Sequence, residues 1–178
     1  MRKNLFFCMM LGLEMVFPQS KLVEFLSIET KDSANHQIVT AIALLDAEPD
    51  KIWQAITDFE HYEEFMPQVM RCNRDRIDEK SSKVSIDLDI PWPVANIYYE
   101  MKISERDDRL FFRWDHLGGD LHENKGFWLL DAINPNQVKL TYHVCVRTKS
   151  ILPNFIIRLA QKKTTKDLFY AVAKRANQ

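Results

Sequence analysis

The chain has 178 residues, of which 46% are apolar and 28% are charged, a composition typical of a soluble globular protein. Its formal net charge of −1 lacks the basic excess of a general nucleic-acid-binding protein, so we expect no nucleic-acid partner. Only four glycines occur, and the sequence contains no phosphate-binding loop or dinucleotide fingerprint. We therefore predict no cofactor.

The first twenty residues are similar to a secretory signal peptide. Arg2 and Lys3 precede a short apolar run at 5–13, which is the usual order of such a leader. The run is too short to span a membrane. We predict a signal peptide over 1–20 and export to the periplasm or beyond the cell. The alternative is a cytoplasmic protein whose N-terminal helix packs on the domain.

A polar extension and a first strand follow the leader. Residues 21–35 mix charged with scattered apolar side chains, which predicts a helical extension that runs into a polar linker. Residues 36–45 are apolar on both sides of an alternating pattern, which is typical of a strand covered on both faces. The folded domain is therefore predicted to span 36–178.

Two short helices are predicted after this strand. Pro49 suits a first helical position, because the N–H that proline lacks would be unpaired there. Ile52, Trp53 and Ile56 recur at helical spacing and mark one apolar face. A second short amphipathic turn follows and ends at Pro67.

Six further strands are predicted between residues 69 and 147, because apolar and polar side chains alternate between regularly spaced turn residues. The clearest strand carries Val84, Ile86 and Leu88 on one face. Gly118 and Gly119 permit a tight hairpin between two later strands.

The chain ends in a predicted long helix with an apolar stripe at 155–159 and 168–173, interrupted by the polar segment QKKTTKD. An antiparallel sheet that hides one face needs a cover, and this helix is the available one. A sheet curled around one helix tapers and can enclose a cavity. We predict an α+β fold: a seven-stranded curved antiparallel sheet, two short helices after strand 1, and a long C-terminal helix over an internal cavity.

Two cysteines remain beyond the leader, Cys72 and Cys145. A disulfide between them requires that their strands be neighbours. The alternative, which we favour, is that both are small buried apolar side chains.

Two polar clusters are candidates for further functional sites. His116 and His122 flank a pair of glycines, and a hairpin could bring both rings to one metal ion, but their spacing matches no established metal motif. We therefore predict a solvated turn and no metal site. Lys162, Lys163 and Lys166 could contact anionic lipid headgroups transiently, although a solvated helix face explains them as well.

Bulky side chains on the predicted sheet and the last helix are candidates for lining the cavity. Each alone is explained by core packing, but together they favour a lined cavity, and Tyr and Trp add a hydrogen-bonding tip for a ligand's polar head. The predicted ligand-binding residues are Trp92, Tyr99, Met101, Phe112, Trp114, Trp128, Tyr142, Phe155 and Leu159. No catalytic set emerges from the spacing, and none is predicted.

The element order and four short motifs resemble the START/Bet v superfamily, whose members share the helix-grip fold. The motifs are EPDKIW at 48–53, TDFEHY at 57–62, FMP at 65–67 and GFWLL at 126–130. Within the superfamily the chain is similar to the polyketide cyclase/dehydrase and coenzyme-Q-binding branch, over about residues 36–175. The resemblance implies one internal apolar pocket, a feature of lipid carriers, quinone-binding proteins, cyclases and hormone receptors.

These observations lead to a preferred function and two alternatives. The preferred function is non-enzymatic binding, and carriage, of a hydrophobic small molecule such as a lipid, isoprenoid or quinone, with about 0.8 kcal/mol gained per buried methylene. The first alternative is a polyketide cyclase or dehydratase that acts on an apolar or aromatic substrate in the same cavity, with groups such as Tyr99 or Tyr142 as acid–base catalysts. The second is an interaction module with a filled core and an exposed apolar patch.

Overall fold

The computed structural model describes residues 22–33, 36–90, 96–148 and 154–178, with side chains in the last segment from residue 161 onward. The elements, in chain order, are β1 (Val23–Ser33), β2 (His36–Leu45), α1 (Pro49–Thr57), a 3₁₀ turn (Phe59–His61), α2 (Tyr62–Phe65), β3 (Val69–Arg76), β4 (Ser81–Leu88), β5 (Ile97–Glu105), β6 (Phe111–Gly119), β7 (Glu123–Asn134), β8 (Gln137–Arg147) and α3 (Asn154–Ala176). The predicted leader lies outside the described residues, so the signal peptide and export stay predictions.

The strands form one antiparallel sheet in the order β1-β2-β8-β7-β6-β5-β4-β3. The predicted architecture is confirmed, but the sheet has eight strands in the described chain rather than the seven predicted. Because β2 pairs with β8, the strand before the short helices lies beside the last strand of the chain. One face of β2 is buried and the other is half-buried, so only the inner face is fully covered.

The eighth strand is β1, and the prediction of a helical extension and linker over 21–35 is wrong for this part of the chain. Its residues pair with β2 from Val23 opposite Leu45 to Ser33 opposite His36. A register shift between Phe25 and Ser27 breaks the period-2 alternation from which a strand is recognised. The bulge explains why the sequence pattern did not reveal the strand.

The two short helices are placed as predicted. Proline occupies the first turn of α1, and Glu48 caps the helix without a side-chain hydrogen bond. The face that carries Ile52, Trp53 and Ile56 is buried. This face packs the helix against α3, β7 and β8.

The terminal helix α3 lies across α1, β1 and β2. Phe169, Val172 and Ala173 are fully buried there and complete a solid apolar core with the inner face of β2. Among the described residues, none of the helices combines the length and the apolar character that crossing a bilayer requires.

The glycine pair lies at the start of the predicted hairpin connection between the antiparallel strands β6 and β7. Gly118 and Gly119 end β6, and residues 120–122 connect that strand to β7. Gly119 has a φ of 106° and lies against the backbone of Tyr98 and Tyr99, so its lack of a side chain permits a close strand approach rather than a turn.

The cysteines lie far apart in the sheet. Cys72 is in β3, at one edge, and Cys145 is in β8, so their strands are not neighbours. Both are free and buried, which confirms the preferred interpretation. Burial raises the pKa of the Cys72 thiol to about 12, so this thiol is unreactive at neutral pH.

Candidate ligand-binding cavity

A cavity of about 180 Å³ lies between the inner face of the sheet, α2 and α3. Leu168 and Thr164 line it from α3, where Leu168 directly precedes Phe169 of the solid core and Thr164 lies more than one turn earlier. The terminal helix therefore borders both the cavity and the packed core. This cavity contradicts the interaction-module hypothesis, which required a filled core.

Six of the nine predicted ligand-binding residues line this cavity. They share the inner face because alternate residues of a strand point to the same side. The six are Tyr99 and Met101 of β5, Phe112 and Trp114 of β6, Trp128 of β7 and Tyr142 of β8.

The other three predicted residues fall where side chains are not described. Trp92 lies between the described segments, and only the backbone of α3 is described at Phe155 and Leu159. Ligand contact by any of the nine stays a prediction.

Sequence reasoning missed the rest of the lining. Ile86 and Leu88 share a face of β4, so the clean alternation in that strand could have identified them. The connection after α2 carried no such signal, because Gln68 turns the chain at a φ of 64°. The remaining missed residues are Phe59, Tyr62, Met66, Pro67, Val69, Asn124, Thr164 and Leu168.

Stacked aromatic rings form one wall of the cavity. The rings of Trp114 and Tyr142 are 5.8 Å apart and nearly parallel, and Trp128 lies 4.6 Å from Tyr142. Phe112 meets Trp114 at 6.2 Å. Gly126, opposite Trp114 in the sheet, makes the arrangement possible, because a Cβ there would overlap the indole ring. This wall is aromatic and holds the Trp114 and Tyr142 rings nearly parallel, which suits a planar ligand.

Three tyrosines line the cavity, and they differ in their hydrogen bonds. The hydroxyl of Tyr62 donates to the backbone carbonyl of Ile56. The hydroxyls of Tyr99 and Tyr142 make no hydrogen bond to any described residue. Burial raises the pKa of both phenols well above the usual value, so both stay protonated at neutral pH and can donate as well as accept.

Asn124 adds an amide to the lining. The Trp114 indole N–H donates to its side-chain oxygen at 2.9 Å, which fixes the orientation of the amide. The side chain is only 5% exposed, and its N–H donors face no acceptor in the described chain. Thr164 contributes a hydroxyl from α3. None of the described residues that line the cavity is charged or a histidine, so the hydrogen-bonding groups that these residues contribute are all neutral.

The histidines considered as metal ligands lie apart from this lining. His116 belongs to β6, where its Nδ1 is buried without a hydrogen-bond partner among the described residues, and His122 is exposed just before β7. In the described segments there is no cluster of three or more His, Cys, Asp or Glu side chains that could hold a metal ion. The structure thus gives no observation that favours a metal site here.

Residues 45–173 match a family model described as polyketide cyclase / dehydrase and lipid transport. The chain belongs to this family. The match extends from the end of β2 to the last turns of α3 and so includes every element that lines the cavity. It confirms the resemblance drawn from the motifs at 48–53, 57–62, 65–67 and 126–130. A comparison with curated proteins found no sequence match to this chain.

Solved structures share the fold of this family member at low sequence identity. The Zhui aromatase/cyclase from Streptomyces sp. R1128 has a TM-score of 0.68 and 11% identity, over 80% of this chain and 94% of that chain. A STAR-related lipid transfer protein (fragment 25–204) from Xanthomonas axonopodis has a TM-score of 0.67 and 16% identity, over 85% and 98%. Human STARD10 has a TM-score of 0.63 and 12% identity, over 83% and 73%. These likenesses show that the chain has the same helix-grip-like fold as those structures.

Proposed function

We propose that the protein binds a hydrophobic small molecule, without converting it, in the cavity between the sheet and α3. The single observation that carries this proposal is the open, largely aromatic cavity in a chain of this family. Transfer of apolar surface out of water would drive binding, at roughly 25 cal/mol per Å² buried. The ligand would be an isoprenoid, a quinone or another lipid-like compound.

The volume limits which part of such a ligand is enclosed. A cavity of about 180 Å³ is close in size to one of roughly 150 Å³ that takes up benzene. One or two rings, or a short acyl segment, would fill it, and a longer chain would extend beyond it. A quinone head therefore fits the enclosed space better than a whole phospholipid does.

Carriage is part of the proposal, and it is supported by two structural neighbours, the STAR-related lipid transfer protein from Xanthomonas axonopodis and human STARD10. Lys162, Lys163 and Lys166 are exposed on α3 and would provide a transient contact with an anionic membrane surface. Ligand release would then occur beside the helix that closes the cavity.

A polyketide cyclase or dehydratase is the second candidate. It is supported by the family description and by the structural likeness to the Zhui aromatase/cyclase, and the protonated hydroxyls of Tyr99 and Tyr142 could serve as acids. Such chemistry also needs a base poised near neutral pH. The described lining offers no carboxylate or imidazole for that role, which is why binding without conversion is preferred.

A cavity-filling substitution tests the proposal. Leu168→Trp would place an indole in the cavity, whereas the matched Leu117→Trp adds the same group to an exposed position of β6. With naphthalene as the probe in equilibrium dialysis, we expect the wild-type protein and L117W to bind and L168W to lose at least tenfold in affinity. Failure of the wild-type protein to bind, or equal binding by L168W, would contradict the proposal.

A further inference from the structure

The cavity wall carries hydrogen-bonding groups that the described fold does not use. The hydroxyls of Tyr99 and Tyr142 have no partner among the described residues, and Thr164 adds a hydroxyl from the opposite side. Asn124 has its oxygen occupied by Trp114 and its N–H donors unused, although the side chain is more than nine-tenths buried. Buried polar groups in folded proteins almost always have a partner. The missing partner of these groups points to a ligand.

Two of these groups contact one aromatic ring. The Trp114 indole stacks on the Tyr142 ring at 5.8 Å, and the same indole donates to Asn124 at 2.9 Å. Tyr99 lines the same cavity from β5. The two hydroxyls and the amide therefore border one cavity of about 180 Å³.

The same level of the sheet carries a further buried and unpaired acceptor. Gln37 of β2 faces inward and pairs with Val146 of β8, which in turn pairs with Asn124 of β7. Among the described residues, the side-chain oxygen of Gln37 has no hydrogen-bond partner. Gln37 is not part of the described cavity lining, so it lies beside the proposed site rather than in it.

The charge of the lining restricts the ligand. No described residue that lines the cavity carries a charge. An anionic or cationic group would lose its hydration on entry and gain no opposite charge in return, which is strongly unfavourable. A neutral oxygen would lose less hydration and could accept from the amide or a phenol while donating to another hydroxyl.

We propose that Asn124, Tyr99 and Tyr142 form a neutral hydrogen-bonding subsite, and that the ligand is a small ring compound with an uncharged hydroxyl or carbonyl oxygen. The inference rests on the proposed function and names the ligand class for that same cavity. The aromatic wall and the limited volume favour a ligand with a small ring. The unpaired neutral groups favour an uncharged oxygen on that ring.

Three probes of equal ring size test this proposal by equilibrium dialysis of the full chain at neutral pH. Naphthalene is apolar, 2-naphthol adds a neutral hydroxyl, and 2-naphthoate adds a negative charge. We expect 2-naphthol to bind more tightly than naphthalene by about threefold to tenfold for each hydrogen bond gained. We expect 2-naphthoate to bind less tightly than naphthalene.

Phenylalanine variants identify the groups involved. Tyr99→Phe and Tyr142→Phe each remove a hydroxyl that no described protein group uses, so both variants should fold as the wild-type protein does. Each should lower the preference for 2-naphthol about threefold or more and leave naphthalene affinity unchanged. Tyr98→Phe is the control, because that exposed hydroxyl donates to Glu100 and is not part of the described cavity lining, and it should keep the full preference.

The outcomes separate this inference from the proposed function. Equal affinity for 2-naphthol and naphthalene, or tighter binding of 2-naphthoate, would overturn the neutral subsite and leave the cavity intact as a binding site. An undiminished preference in both Y99F and Y142F would also overturn it. If none of the three probes binds, the proposed function itself fails, and the inference fails with it.

Discussion

At the scale of single residues, Gly126 has the strictest requirement for a missing side chain near the site. A Cβ at this position would overlap the backbone oxygen of His143 and the ring of Trp114. Neither neighbour can move freely, because one belongs to the paired strand β8 and the other is held by its bond to Asn124. We expect Gly126→Ala to lower the free energy of unfolding by about 1–3 kcal/mol, as overpacking does, measured by urea denaturation.

Gly118 is the matched control, since it is also a strand glycine. A Cβ there would have its nearest neighbour, a carboxylate oxygen of Glu100, at 3.8 Å. Gly118→Ala should therefore change the free energy of unfolding by less than about 0.5 kcal/mol. Equal losses in the two variants would show that the close packing around Trp114 is not what Gly126 provides.

The residues that line the cavity could be predicted where apolar and polar side chains alternate along a strand. They could not be predicted where a polar side chain is buried. Phe112 and Trp114 alternate with Arg113 and Asp115, so their shared inward face could be predicted. Asn124 could not be, because a polar residue before an apolar run is usually exposed. Its burial depends on the indole N–H of Trp114, which needs an acceptor inside the protein.

At the scale of elements, Asp58 joins the end of α1 to the terminal helix. One carboxylate oxygen lies 2.6 Å from Nδ1 of His61, and the other accepts from Arg175 of α3 at 2.8 Å. The Arg175 guanidinium also lies over the ring of Phe65 in α2, 5.1 Å from its centre. These contacts fix the short helices against the helix that closes the cavity.

This junction has a pH dependence whose sign follows from its pKa shifts. Burial raises the pKa of Asp58, but the hydrogen bonds from His61 and Arg175 outweigh burial and leave it below 3.8. The hydrogen bond to Asp58 raises the pKa of His61 above 6.5. The Asp58 contribution to stability is lost as the pH falls through its lowered pKa, and the His61 contribution is lost as the pH rises through its raised pKa.

Asp58→Asn should therefore destabilise the protein most at about pH 5.5, where both charges are present in the wild-type protein. The loss should be smaller near pH 9, where His61 is neutral and Arg175 is the charged partner that Asp58 keeps. Urea unfolding at the two pH values measures the difference. The control is Asp107→Asn, which removes an exposed pair with Lys80 and should have little effect at either pH. A D58N loss that is identical at both pH values would contradict this assignment.

Whole elements were predictable from sequence where the apolar period was unbroken. Pro49 and the spacing that follows it located α1, whereas the bulge at Phe25 hid β1. The polar interruption in the apolar stripe of α3 has a structural explanation. Thr164 lies in that interruption and faces the cavity rather than the packed core, and Thr165 beside it is buried.

At the scale of the whole molecule, the helix α3 covers both a solid apolar core and an open cavity. Phe169 and Val172 of α3 are fully buried against the inner face of the sheet, whereas Leu168 borders open space. The sequence predicted this overall arrangement because a curved antiparallel sheet closed by one long helix leaves a tapering gap that can hold a small ligand. The proposed ligand class depends on Tyr99, Asn124 and Tyr142, which lie on three different strands. Local sequence patterns could not reveal that these three residues border one cavity.

The central claim is that this open space takes up a ligand, and methionine methyl NMR tests it most directly. Met66 and Met101 line the cavity, whereas Met70 is 55% exposed on β3. With methionine methyl groups labelled with ¹³C, titration with 2-naphthol should shift the signals of Met66 and Met101 and leave that of Met70 unchanged. Unchanged Met66 and Met101 signals at saturating 2-naphthol, or a shift confined to Met70, would contradict the account.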